Sequence, residues 1–223
     1  MDREDIRTHV RTLADELTEA PLGLFTNTEL NSFINIAMRA VYVDLIEHIP
    51  WYFRKTKEFS VAANTKTYSI ASDIGVSDLF LIETLLNNTS GEKPTPLIYL
   101  EDPEDLWQYG NVGETGKPKV YYYESNTHLG FHKTPDSAYG YKMYYFKRIP
   151  ELSTEDAVPE LPDETHELIA FQVLMRWYIR DESSMGYSKL LARYETRIMD
   201  AAYQLSTSQG QTYRVRPSIK ESR

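Results

Sequence analysis

The sequence predicts an α+β fold in which a helical bundle, formed by N- and C-terminal helices, carries an inserted antiparallel β-rich domain and ends in an extended C-terminal tail. Amphipathic helical patterns lie at residues 28–49, 163–180 and 187–206. Between them the apolar residues alternate with the period of two that is typical of β-strands. Because helices at the two ends of a chain bury their apolar stripes by packing together, we expect the β region to protrude from the bundle.

The predicted parts follow one another along the 223 residues. We expect a helical bundle from residues 1–56 and 160–206, an inserted β-rich domain at 57–147, an acidic connection at 148–159 and a tail at 207–223. A chain of this length is able to bury a sizeable core, in one domain or in two small ones.

The N-terminal helices are indicated by apolar spacing and by a capping signal. Residues 2–19 carry apolar side chains every three or four positions, which is typical of one helix. Thr26 and Glu29 predict a capping box that starts the next helix, and Pro50 ends that helix. Its inner face is expected to contain Leu30, Phe33, Ile34, Ala37, Val41 and Leu45.

The central region is expected to form short strands separated by turns. Its first part predicts a hairpin, with Phe59 and Val61 on one strand and Tyr68 and Ile70 on the return strand. Further strands are expected at residues 79–86, 96–100, 119–123, 127–133 and 139–147, with a short helix at 101–107.

Two helices are expected at the C-terminal end, separated by Gly186. The first, at residues 163–180, begins after Pro162, and the second, at 187–206, repeats its apolar residues with the spacing of a coiled-coil seam. The inner face of the first contains Leu168, Phe171, Leu174, Met175 and Tyr178.

Composition argues against several classes of function. The sequence has 24 Lys and Arg against 33 Asp and Glu, a net charge of −9, which disfavours binding of nucleic acid through phosphate neutralisation. The lack of cysteine excludes disulfides and thiolate metal sites. No apolar run approaches the ~20 residues that span a membrane, and the charged first residues do not resemble a secretion signal, so we expect a protein of cytosolic origin.

Candidate catalytic or metal-binding groups are few. His128 and His132 lie four residues apart on a predicted strand and share a face, but no third metal ligand lies near them in sequence. The carboxylates between Glu101 and Asp105 are those expected at a helix N-terminus rather than those of a hydrolytic pair. Phosphate-binding glycine loops and hydrolase motifs are absent from the sequence. We therefore expect no catalytic residues, no cofactor and no metal.

A series of segments, taken in order, carries a likeness to a known family. These are TELNSFIN at residues 28–35, WYF at 51–53, TYSI at 67–70, GKPKVY at 116–121 and VPELPDETHELI at 158–169. In this order, across residues 26–206, the chain resembles the head-to-tail adaptor, or connector, proteins of tailed bacteriophages. The predicted helix at residues 2–19 lies outside the part that carries the likeness.

The resemblance implies a structural virion protein at the head-to-tail junction, the portal vertex, assembled in the host cytoplasm. Such a protein binds the portal protein as a ring, commonly of twelve copies, extends the DNA channel and docks tail or nozzle proteins. Genomic DNA would pass through the channel without sequence-specific binding. An acidic wall fits this role, because it repels phosphates.

Two sets of residues are candidate contacts in such an assembly. The resemblance implies that the C-terminal segment grips the portal, and tyrosine and arginine are frequent hot-spot residues of interfaces. The candidate portal-docking residues are Tyr213, Arg214, Arg216 and Lys220. The candidates for subunit or tail contact are Tyr121, Tyr123, Tyr141, Tyr144 and Tyr145.

Three other interpretations stay open at the level of sequence. A tail-completion or stopper protein belongs to the same structural class. A tyrosine-rich module that binds a glycan or another ligand would instead act as a monomer. An enzyme of unrecognised type would require His128, His132 and the carboxylates at residues 101–105 to converge in one pocket.

Overall fold

The computed structural model describes residues 1–17, 26–111, 113–180 and 184–208. Helices and two sheets make up this part of the chain, which confirms the predicted α+β class. The chain divides into two compact units. The helical unit consists of residues 1–52 and the described residues from 149 onward, and the β unit consists of residues 53–148.

The helical unit is built from helices at both ends of the chain. Its helices are α1 (Arg3–Leu17), α2 (Asn27–His48), α4 (His166–Arg180) and α5 (Ser184–Ser208), and the short α3 (Pro50–Phe53) follows α2. α1 and α2 both pack against α4, and α5 packs against α2 and α4. The predicted association of N- and C-terminal helices in one bundle is therefore confirmed.

Helix α2 shows why these predictions succeed. The Thr26 hydroxyl accepts a hydrogen bond from the Glu29 amide, and the Glu29 carboxylate accepts one from the Thr26 amide, so the predicted capping box is present. Leu30, Ile34 and Leu45 are buried, as are the other predicted positions except Phe33, which is half-buried. Capping and apolar spacing are local signals, and the sequence displays both.

Gly186 was expected to separate the last two helices, and this expectation is wrong. Helix α5 begins at Ser184, before the glycine. A Cβ atom at position 186 would lie 2.5 Å from the ring of Tyr178 on α4. The glycine therefore serves the close approach of α4 and α5, rather than ending a helix.

The connection that returns the chain to the bundle is fixed by α1 and α2. The guanidinium of Arg3 donates to the Leu152 carbonyl oxygen at 2.8 Å and to Glu155 at 3.1 Å, and Arg7 also pairs with Glu155. Asn35 accepts a hydrogen bond from the Leu152 amide at 2.8 Å. The N-terminal helix is thus an integral part of the helical unit.

The β unit contains two four-stranded sheets. The first has the order β1-β8-β3-β4 and the second the order β2-β7-β6-β5. The strands are β1 (Lys55–Val61), β2 (Thr67–Ser69), β3 (Leu79–Asn87), β4 (Thr95–Pro96), β5 (Ile98–Leu100), β6 (Val120–Ser125), β7 (His128–His132) and β8 (Tyr139–Lys147). The predicted short helix is a 3₁₀ helix at Pro103–Tyr109.

The predicted hairpin of the first two strands is wrong. β1 pairs with β8, so that Phe59 lies opposite Tyr141, and β2 pairs with β7, so that Tyr68 lies opposite Leu129. The turn between β1 and β2 crosses from one sheet to the other, and the Tyr68 hydroxyl donates to the Ala62 carbonyl oxygen at 3.0 Å. Alternation identifies a strand but does not identify its partner.

The strand pairing departs from the expected antiparallel set at one place. β5 runs parallel to β6. The segment that contains β4 and β5 changes sheets at Leu97, whose amide donates to the Leu85 carbonyl oxygen at 2.8 Å, whereas the Ile98 amide donates to Lys119. This segment therefore joins the two sheets along one side.

The interior of the β unit lies between strands of both sheets. Leu85, Leu129, Phe131, Tyr141 and Met143 are almost completely buried there. A second, smaller cluster covers the other face of β6, beneath the 3₁₀ helix. It contains Leu100, Leu106, Val120 and Tyr122.

Candidate interaction surfaces

A groove of about 610 Å³ lies between α2, α4 and α5 of the helical unit. Its floor is apolar, with buried Met175 and Ile198 and half-buried Leu191. The apolar Ile179, also in its lining, is 63% exposed. Because the floor is apolar and the groove is open to solvent, its shape suits an extended segment of polypeptide.

The charged residues of the groove are mostly acidic. Asp44, Glu47 and Glu195 contribute carboxylates, and Arg176 contributes the cation among the lining residues, beside His48. The excess of carboxylates favours a basic partner.

A hydrogen-bond network holds the Asp44 carboxylate in place. The Tyr194 hydroxyl donates to Asp44, and the Gln172 amide donates to the same oxygen at 3.4 Å. Burial, followed by the adjacent Asp44 carboxylate, raises the pKa of Tyr194 above its ordinary value. Tyr194 therefore remains protonated and keeps the Asp44 carboxylate at the groove wall.

Sequence reasoning did not identify this groove. Its polar residues flank the apolar stripes of three different helices, and no local motif connects them. One signal was present, because Asp44 interrupts an otherwise apolar stretch between Val43 and Leu45. A carboxylate at such a position needs a partner, which α4 and α5 supply.

The structure places two of the five predicted contact tyrosines in the interior. Tyr121 is 4% exposed and Tyr141 is 1% exposed, and both belong to the core between the sheets. Burial raises the pKa of both phenols. The alternation of β6 and β8 correctly groups residues by face, but it does not reveal which face the second sheet covers.

The remaining predicted tyrosines are half-buried. Tyr123 and Tyr145 pack against the same core, and the Tyr123 hydroxyl oxygen accepts a hydrogen bond from the Ile82 backbone amide. Two cations lie near the ring of Tyr144, with Arg54 at 5.6 Å and Lys142 at 5.7 Å from its centroid. A contact through these three residues stays a prediction.

Tyr99 is a surface aromatic residue that sequence reasoning missed. It is 47% exposed on β5, with its ring centroid 5.4 Å from that of Tyr121 and 6.0 Å from that of Tyr123. Its neighbour Ile98 is 50% exposed. Tyr99 therefore extends the buried tyrosine cluster to the protein surface.

The residues considered for chemistry do not form one site. His128 is exposed and contacts Ser125 and Thr127, whereas His132 is buried beside Gly110, at the C-terminal end of the 3₁₀ helix. The Asp102 carboxylate caps the other end of that helix, which is about 14 Å long. In the described residues no group of three His, Asp or Glu side chains has an arrangement that would hold a metal ion.

The four candidate portal-docking residues lie outside the described part of the chain. The helices that the structure does describe include none that is both long enough and apolar enough to cross a membrane.

Comparison with known protein families gives a match across most of the chain. A family model described as SU10 adaptor protein matches residues 1–218. No curated protein matches the sequence. The matched region includes α1, both units and most of the residues that follow α5.

Proposed function

The chain belongs to the SU10 adaptor protein family, and on that premise we propose that it binds the portal of a tailed bacteriophage as a ring, extends the DNA channel and docks the tail. The observation that carries this proposal is the family match, which spans 1–218 and so covers both units. The match confirms the resemblance to phage adaptors. It also starts at residue 1, so α1 belongs to the family pattern and is not an addition to it.

A ring requires each subunit to present two different surfaces to its neighbours. The helical unit and the β unit differ in composition and in secondary structure, so the chain offers such surfaces. The exposed pair Ile98 and Tyr99 is one candidate for a contact, because apolar and aromatic residues are enriched in interface cores. Tyr123, Tyr144 and Tyr145 remain candidates for the same reason.

The net charge of −9 supports the role of a DNA conduit. A channel wall with excess carboxylates repels phosphates, which would let the genome pass without binding. The charge also disfavours a function that depends on tight, sequence-independent binding of nucleic acid.

The tyrosine-rich ligand-binding module receives less support. Tyr121 and Tyr141, two of the five candidate contact tyrosines in the tyrosine-rich sheets, are in the core, and cations of the protein itself lie over Tyr144. Their rings are therefore not available as a stacking platform.

Electron microscopy of the purified full-length chain, alone and mixed with the portal protein of the same phage, tests the proposed function. We expect rings on the portal, with an axial opening and a copy number that class averages count directly. A ring whose opening is closed would favour the stopper interpretation. A dispersed chain that forms no complex with the portal would contradict the adaptor function.

A further inference from the structure

We propose that the groove between α2, α4 and α5 binds residues 211–220 of the same chain, the basic segment that follows α5. The segment is QTYRVRPSIK. The charges, the apolar residues and the length of the segment each match a property of the groove.

The charges are complementary. The carboxylates of Asp44, Glu47 and Glu195 exceed the basic groups of the groove lining. The segment contributes Arg214, Arg216 and Lys220 and contains no acidic residue. On a chain whose net charge is −9, this is a local excess of positive charge that favours an acidic surface.

The apolar residues of the segment match the floor of the groove. Tyr213 and Val215 alternate with Arg214 and Arg216, so an extended chain would present apolar side chains on one side and guanidinium groups on the other. Ile219 adds a further apolar side chain. Burying these residues would also cover the exposed Ile179.

The length of the segment fits a path back along α5. The helix rises about 20 Å from Glu195 to Ser208 and about 32 Å from Tyr187 to Ser208. An extended chain that turns back after Ser208 reaches about 20 Å by Arg214 and about 36 Å by Ile219. Arg214 would then lie level with Glu195, and Ile219 would lie level with Tyr187 and the end of the groove at Ile179. A turn directly after Ser208 is compatible with the sequence, because position 210 is a glycine, which has no Cβ atom to restrict the backbone angles of a turn.

This binding would compete with docking to the portal, since both use the same residues. That consequence rests on the proposed function, whereas occupancy of the groove does not. A chain free in solution would keep its basic segment covered, and the portal would have to displace it.

Disulfide trapping in the full-length chain tests the proposal, because the natural sequence has no cysteine. The test variant carries Ile179→Cys and Ile219→Cys. The control variant carries Tyr203→Cys and Ile219→Cys. Tyr203 and Ile179 are both 63% exposed, but Tyr203 is much closer to Ile219 along the chain and lies outside the groove. The two thiols are oxidised without portal, and the products are separated by non-reducing electrophoresis.

A segment that does not bind the groove would close to residue 203 faster than to residue 179, because residue 203 lies about 8 Å along α5 from Ser208, whereas residue 179 lies level with Tyr187, about 32 Å away. We expect the reverse order, with intramolecular closure to residue 179 the faster. Adding Glu195→Lys to the test variant should restore the order set by the distance of each cysteine from Ser208. Faster closure to residue 203 would overturn the proposal. A product that joins residues 179 and 219 of two chains would overturn it as well, because the occupant would then be a second copy.

Discussion

At the scale of single residues, Gly130 and Tyr122 form a steric pair across β6 and β7. They are opposite one another in the sheet, and a Cβ atom at position 130 would lie 2.4 Å from the Tyr122 ring. The ring is not free to move, because it belongs to the small cluster with Leu100, Leu106 and Val120. Gly130 is therefore required by the space that Tyr122 occupies.

We predict that Gly130→Ala destabilises the protein by about 1–3 kcal/mol, the usual cost of an added methyl group in a packed interior. Urea denaturation of the full-length chain measures this cost. The matched background is Tyr122→Ala, in which the ring is absent. If Gly130→Ala lowers the stability of the natural chain and of the Tyr122→Ala chain equally, the Tyr122 ring does not cause the loss.

His166, at the start of α4, is a fully buried histidine. Its Nε2 lies 2.9 Å from the Leu161 carbonyl oxygen, and its Nδ1 lies 3.0 Å from the N-terminal amine. Burial lowers the pKa of His166 below 6.5, against the opposing effect of the Leu161 carbonyl and of the Asp163 and Glu164 carboxylates. The folded protein therefore holds this imidazole neutral at pH 7.

We predict that this histidine makes the protein less stable in mild acid. Because its pKa is lower in the folded chain than in the unfolded chain, the unfolded chain binds more protons as the pH falls below about 6.5. The contribution to stability is present above that pH and is lost as the pH falls toward the folded-state pKa. Thermal denaturation between pH 7.5 and about pH 5 should show a smaller decrease for His166→Gln. His128→Gln is the control at an exposed histidine, and an equal change in both variants would contradict the assignment.

At the scale of elements, the helices and most strands followed from the sequence, and the pairing of the strands did not. The helix signals at Thr26 and in the stripe of α2 are local, so a short window contains them. The partner of β1 is β8, which follows it by some eighty residues, and alternation carries no information about that distance. The candidate site shows the same division, because apolar patterns predict floor residues such as Met175, whereas no single pattern shows that three helices bring their polar residues together beside them.

The connection into α4 depends on a cluster of buried cations. The side chains of Arg3 and Arg7 on α1 are 9% and 7% exposed and share the Glu155 carboxylate. Hydrogen bonding from Arg7 lowers the pKa of Glu155, so the pair is ionised at neutral pH. The segment before α4 is therefore held to α1 by ion pairs of Glu155 with two arginines that have little access to water.

We predict that Glu155→Gln lowers the urea midpoint of the full-length chain, because it leaves two buried guanidinium groups without a carboxylate. Glu151→Gln is the matched control. Its ion pair with Arg39 is exposed, with side chains 65% and 49% accessible, and such pairs contribute little. Equal midpoints for the two variants would show that the connection does not depend on Glu155.

At the scale of the whole molecule, the proposed function places portal contact in the residues after α5. The family match continues through residue 218, beyond the end of α5 at Ser208. The candidate docking residues Tyr213, Arg214 and Arg216 lie within the matched range, and Lys220 lies outside it. This supports assigning a shared role to the segment.

We predict that deleting residues 209–223 abolishes binding to the portal and leaves the helical unit and the β unit folded. Co-sedimentation with the portal measures the first property, and circular dichroism measures the second. A full-length chain with Arg214→Gln and Arg216→Gln separates the effect of charge from that of length. Unchanged portal binding by the deleted chain would contradict the docking role of this segment.

The insertion of the β unit has a consequence for the order in which the chain folds during synthesis. All strands have been synthesised once Lys147 is added, whereas α1 and α2 wait for α4 and α5, which end at Ser208. Pairing of Lys55 with Tyr145 brings together the two points where the chain enters and leaves the β unit. Closing a loop of this length costs about 4 kcal/mol of chain entropy, and the β-strands meet that cost before the helices associate. Once the β unit has folded, the ends of the N-terminal and C-terminal helical segments are close together. The helices then associate at a smaller cost in chain entropy.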